Sequence, residues 1–99
     1  MNKFIEEKFK DFLQNLIATI ERDVMRTHGQ DAVISALWML REIFEPGYEF
    51  CGYRIGEEFR KIAKDMLSNE YLKGMLEHAT NHPNPNTSSA ARKLLEKIR

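Results

Sequence analysis

The chain has 99 residues, 42% hydrophobic and 30% charged, and its 15 Lys plus Arg balance 15 Asp plus Glu. One domain of this length buries about 60–70% of the surface its unfolded chain exposes, and the composition is that of a folded globule, not a disordered segment. Zero net charge supplies no global field to recruit nucleic acid or an anionic membrane.

Cys51 is alone and closes no internal disulfide, so nothing suggests an oxidising compartment. The start, MNKFIEEKFKDF, is amphipathic and lacks the apolar stretch of a signal peptide. The longest apolar run, AVISALWML, is broken by Ser35 and falls short of the roughly 18 residues of a membrane span. A cytoplasmic protein is expected.

From Ile5 the apolar positions Phe9, Phe12, Leu13, Leu16, Ile17, Ile20 and Val24 recur at three and four, the period of one helix face. Gly29 is the expected stop, with His28 suited to the negative end of the helix dipole. A second helix is expected near Asp31, an N-cap residue type. Being apolar nearly all round from Ala32 to Leu40, it reads as central and enclosed. It ends before EPGYEFCGYRIG, where Pro46 and three glycines punctuate the chain. Phe59, Ile62, Ala63, Met66 and Leu67 form a third stripe. Ser68 or Asn69 caps a fourth helix with Leu72, Met75, Leu76 and Ala79 inward, and Thr87 or Ser88 caps a fifth carrying Ala91, Leu94, Leu95 and Ile98. No stretch alternates at period two. The expectation is one all-α domain over residues 1–99, a compact bundle of about five helices.

HATNHPNPN, from His78 to Asn86, poses a choice between half of a metal site and a corner. Histidines four apart chelate an ion only from one helical face. His82, however, precedes Pro83, whose ring drives the preceding residue out of helical geometry. The other soft donors, Cys51 and His28, stand alone in sequence. The reading is a helix C-terminus with two cations at the negative end of its dipole, and no metal or cofactor is expected.

The segment EYLKGMLEHATNHPNPNTSSAARKLLEKI resembles the armadillo and HEAT families of α-helical repeats. Leu72, Met75 and Leu76 stand for the first helix of a repeat, HPNPN for its corner and SAARKLLEKI for the second helix. Ala36, Leu40 and Ile43 echo the offsets of Ala91, Leu95 and Ile98. The resemblance implies α-α hairpin packing, with alanines allowing close approach and leucines filling the layer between. Fewer than three repeats make no solenoid.

RKIAKDMLSNEYLKGMLEHA suggests a helix-turn-helix, but Leu67 stands where the turn wants glycine, and Leu72 falls one residue early. The would-be recognition helix offers Glu70 and Glu77 against one Lys73, which weighs against phosphate contacts. Chemistry is scarcer still. Cys51 sits among aromatics without an activating neighbour, and Glu6–Glu7 and Glu57–Glu58 are adjacent pairs that point about 100° apart on a helix. GYEFCG lacks the spacing of a phosphate loop. No enzyme is expected.

Two features point to a protein partner. Aromatics gather around the helix break (Trp38, Phe44, Tyr48, Phe50, Tyr53, Phe59). The charge is also unevenly spread: Asp31, Glu42, Glu45, Glu49, Glu57 and Glu58 stand against Arg41 and Arg54, while Arg92, Lys93, Lys97 and Arg99 stand against Glu96. An acidic, aromatic edge suits a basic surface and gains on-rate from steering. The expected partner-binding residues are Glu42, Glu45, Tyr48, Glu49, Phe50, Tyr53, Glu57 and Glu58. The expected function is a small non-catalytic binding module, most concretely an inhibitor or immunity-type protein that occludes a basic partner such as a toxin nuclease. The alternatives are a DNA-binding regulator that depends on Lys64, Lys73 and Arg92, and a homodimeric structural subunit.

Overall fold

A computed structural model describes residues 2–99. Helix α1 (Lys3–Asp23) starts where the Asn2 side chain accepts hydrogen bonds from the N–H groups of Phe4 and Ile5, at 2.9 and 3.2 Å. Its stripe of Ile5, Phe9, Leu13, Ile17 and Ile20 is buried. The helix stops at Asp23, well before Gly29, and a side chain from beyond the turn takes its last carbonyl. The Gln30 amide Nε2 donates to the Asp23 oxygen at 2.9 Å and to the Arg26 oxygen at 3.0 Å. Gln30 therefore occupies the cap position of α2 (Asp31–Glu42) with its side chain turned back to α1, and Asp31 is the first helical residue.

Helix α2 packs against α1 and the last helix and buries Val33, Ala36, Leu37 and Leu40. It is not enclosed as its composition suggested: Trp38 is 39% exposed and Met39 44%. Two partner helices cover only two sides of a helix, so the third stays open.

The glycine-rich break holds a hairpin, β1 (Glu49–Phe50) with β2 (Tyr53–Arg54), in the register Glu49 opposite Arg54 and Phe50 opposite Tyr53. Strands this short show no alternation that a sequence period could reveal.

Helix α3 (Glu57–Leu67) packs on α1, and α4 (Glu70–Ala79) packs on α5 (Pro85–Ile98). The Asn69 side chain caps α4, accepting the Leu72 N–H at 2.8 Å. Helix α5 begins earlier than Thr87 or Ser88. Asn84 is its cap, accepting from Asn86 N–H at 2.9 Å and Thr87 N–H at 3.4 Å, and Pro85 has the preset φ that suits a first helical position. Thr87 and Ser88 are buried within the helix, and the Ser88 hydroxyl donates to the Pro85 oxygen at 3.1 Å. One apolar cluster draws on all five helices, with Phe9 and Leu13, Leu37 and Leu40, Ala63 and Leu67, Leu72 and Leu76, and Leu94 and Leu95 at its centre. The fold is an all-α bundle, and among the described residues no helix is long and apolar enough to cross a membrane.

The corner that carries the histidines is fastened to the α1–α2 turn. The Thr87 hydroxyl donates to Gln30 Oε1 at 3.0 Å, out of solvent. His82 Nδ1 accepts the Asn84 N–H at 2.9 Å, which leaves the ring proton on Nε2, 2.7 Å from the Arg26 oxygen. His82 therefore bridges two segments through both of its ring nitrogens. Beside it, the Arg22 hydrogen bond at 3.0 Å holds the Asp23 carboxyl below its usual value, against the upward push of its own burial; the charges of Arg22 and Arg26 assist. A lowered carboxyl value contributes stability above the unfolded-state value, and that contribution is lost as the pH falls through the folded-state value.

Gln30→Ala removes one of two donors to each of the Asp23 and Arg26 carbonyls and the acceptor of the Thr87 hydroxyl, leaving that buried hydroxyl without its partner. A loss of about 2–3 kcal/mol is expected by urea unfolding. In the double variant Gln30→Ala/Thr87→Val the two losses should fall short of adding, since both remove the same contact.

Candidate functional site

The 42–58 segment leaves α2 through Ile43, which is fully buried, and returns to the core through Ile55, at 2% exposure. Between them the Tyr48 N–H donates to the Glu45 oxygen at 3.3 Å, and the Ile55 N–H donates to the Tyr48 oxygen at 3.0 Å, extending the hairpin ladder. Cys51 and Gly52 form the two-residue turn, with φ of 52° and 79°. Positive φ at both centres is the turn whose twist matches the strands, and it favours Asn-Gly. Cys51 holds that conformation with a side chain unsuited to it.

The hairpin is anchored from one side. The Phe50 ring meets Phe9 edge-on at 5.3 Å and Phe12 at 5.3 Å, and Phe59 meets Phe9 at 5.1 Å. Phe50 is thus packed against α1, and Tyr48 is half-buried against the same core. Burial raises the Tyr48 hydroxyl above its ordinary value, with lesser contributions from the charges of Glu42 and Cys51. Tyr53, opposite Phe50, stays 53% exposed.

The acids divide in the same way. Glu45 lies 3.6 Å from Lys97 of α5, and Glu57 accepts from Arg60 at 2.9 Å. Glu42, Glu49 and Glu58 are exposed and have no ion pair among the described residues. Of the eight candidate residues, then, Glu42, Glu49, Tyr53 and Glu58 face solvent without an ionic or packed partner. Tyr48 and Phe50 are committed to the core, and Glu45 and Glu57 are held by cations.

Sequence reasoning overlooked three further features. Arg41 and Lys93 lie over the exposed Trp38 ring at 4.3 and 5.3 Å, and Arg41 keeps one guanidinium nitrogen buried without an acceptor. A cleft of about 500 Å³ is lined by Phe44, Glu57, Arg60, Lys61, Lys64 and Lys97. The spacing of Arg60, Lys61 and Lys64 along α3 was visible; their meeting with the end of α5 was not. An apolar groove of about 450 Å³ between Met25, Tyr71 and Met75 also opens to solvent.

His78 is exposed in the last turn of α4, while His82 is tied to Arg26. No three His, Cys, Asp or Glu side chains converge to hold a metal ion among the described residues. Helices α3 and α4 are separated by Ser68 and Asn69 alone and pack on different partners, α1 and α5. No family model, curated protein or solved structure matches the chain. The likeness to armadillo and HEAT repeats rests on the sequence of residues 70–98.

Cys51→Asn places a residue that tolerates left-handed backbone at the first turn centre. The urea midpoint should rise by an amount equivalent to about 0.5–1 kcal/mol.

Proposed function

We propose that the chain is a non-catalytic binding module that covers a basic surface of another protein through the exposed residues of the 49–54 hairpin and its flanks. The observation that carries this reading is the exposure of Tyr53 and of the unpaired Glu42, Glu49 and Glu58 along one segment whose Phe50 packs on α1 and whose Ile55 is buried. A tyrosine on rigid backbone presents a large contact area at low cost in conformational freedom. Unpaired carboxylates on the same segment steer a cationic partner and discriminate against an anionic one.

This favours a smaller epitope than the whole acidic segment. Glu45 and Glu57 already sit with Lys97 and Arg60, so engaging them would require breaking those pairs. An inhibitor or immunity-type role, in which a partner such as a toxin nuclease has its basic site occluded, is the most concrete form of the proposal. Inhibitors of this kind are typically encoded beside their targets, so the product of an adjoining gene is the first partner to test.

Calorimetric titration of that partner is the test. Tyr53→Ala is expected to weaken binding about tenfold or more, and Glu49→Lys together with Glu58→Lys to slow association most strongly at low salt. Substitutions at Glu45 or Glu57 should matter less. Binding that survives the Tyr53 and Glu49/Glu58 changes intact would remove this surface from the account.

A further inference from the structure

We propose that the cleft between α3 and the end of α5 binds a small phosphate-bearing organic anion of about mononucleotide size. Its walls carry Arg60, Lys61 and Lys64 from α3 and Lys97 from the last turn of α5, with Phe44 supplying an aromatic wall. The opposing carboxylates are Glu57 in the lining and Glu45 beside Lys97, so cations remain in excess. Lys61 and Lys64 are exposed and have no ion pair among the described residues. Arg60 is held in place by Glu57 at 2.9 Å, yet its Nε has no acceptor within the protein.

The combination selects a chemistry. Point-charge lysines together with an oriented guanidinium suit a group with several anionic oxygens, which a phosphate offers and a single carboxylate offers less well. The Phe44 ring and the aliphatic stems of the lysines suit a flat apolar body attached to that phosphate. A volume of about 500 Å³ lies within the range of small-molecule sites. This site shares no unpaired acid with the hairpin epitope, so the two are tested separately.

Adenosine monophosphate is the probe, titrated into the full chain and followed by amide chemical shifts and calorimetry, with inorganic phosphate, adenosine and a ten-nucleotide oligo-dT in parallel. Saturable binding of adenosine monophosphate is expected, with shifts centred on Lys61, Lys64 and Lys97, and with phosphate and adenosine each weaker. Lys61→Gln/Lys64→Gln should lower its affinity about tenfold or more while leaving the thermal midpoint unchanged, since both side chains are exposed. An absence of saturation at millimolar concentration, or equal binding by the double variant, would overturn the site. Inorganic phosphate binding as tightly as the nucleotide would overturn the organic half of the proposal. Oligo-dT binding some hundredfold more tightly would replace the small ligand with an extended polyanion.

Discussion

The Gln30 side chain is the constraint on which the rest of the bundle depends. It is 3% exposed, and its amide joins three pieces of chain: the end of α1 through the Asp23 oxygen, the following turn through the Arg26 oxygen, and α5 through the Thr87 hydroxyl. A buried polar group is tolerated when all its partners are met, and it then fixes one arrangement where apolar contacts alone would accept several. His82 reinforces the junction from the exposed side, donating to the same Arg26 oxygen that Gln30 uses. The α4–α5 corner is thereby held against the α1–α2 turn. At the other end of the bundle, Phe9 receives Phe50 and Phe59, and these rings together with buried Ile55 secure the hairpin.

These two fastenings decide what remains for recognition. The imbalance of charge along the sequence is partly cancelled by the fold, because α2 and α5 are packed together. Glu45 meets Lys97, and Arg41 and Lys93 share the Trp38 ring. Three acids of the 42–58 segment stay unpaired and exposed, as does Tyr53, and Arg60, Lys61, Lys64 and Lys97 line the cleft beside Phe44. The cations of α3 and α5 thus meet in a cleft that the sequence did not suggest, while only part of the acidic segment it did suggest stays unpaired.

The five helices were legible because their apolar stripes are long enough for a period to register. Phe9, Leu13, Ile17 and Ile20 in α1, and Leu94, Leu95 and Ile98 in α5, are buried as that period requires. The hairpin was not legible, since strands of two residues have no period, and Cys51 conceals a turn that Asn would have announced. The cap of α5 was misplaced because Thr87 and Ser88 resemble caps, yet their hydroxyls serve Gln30 and Pro85 from inside the helix. Gln30 itself gave no signal. A glutamine between a glycine and an aspartate reads as loop, and its partners lie seven and fifty-seven residues away. The acids of the candidate edge were visible as residues, but their pairing with Lys97 and Arg60 depends on packing that no local pattern encodes.

The claim that the corner is clasped to the α1–α2 turn is tested most directly by the tautomer of His82. Long-range nitrogen–proton correlation of the imidazole at pH 8 should show a neutral ring with its proton on Nε2, and the Asn84 amide should exchange slowly with solvent. A ring protonated on Nδ1, or tautomers in rapid exchange beside a fast-exchanging Asn84 amide, would mean that the clasp does not form.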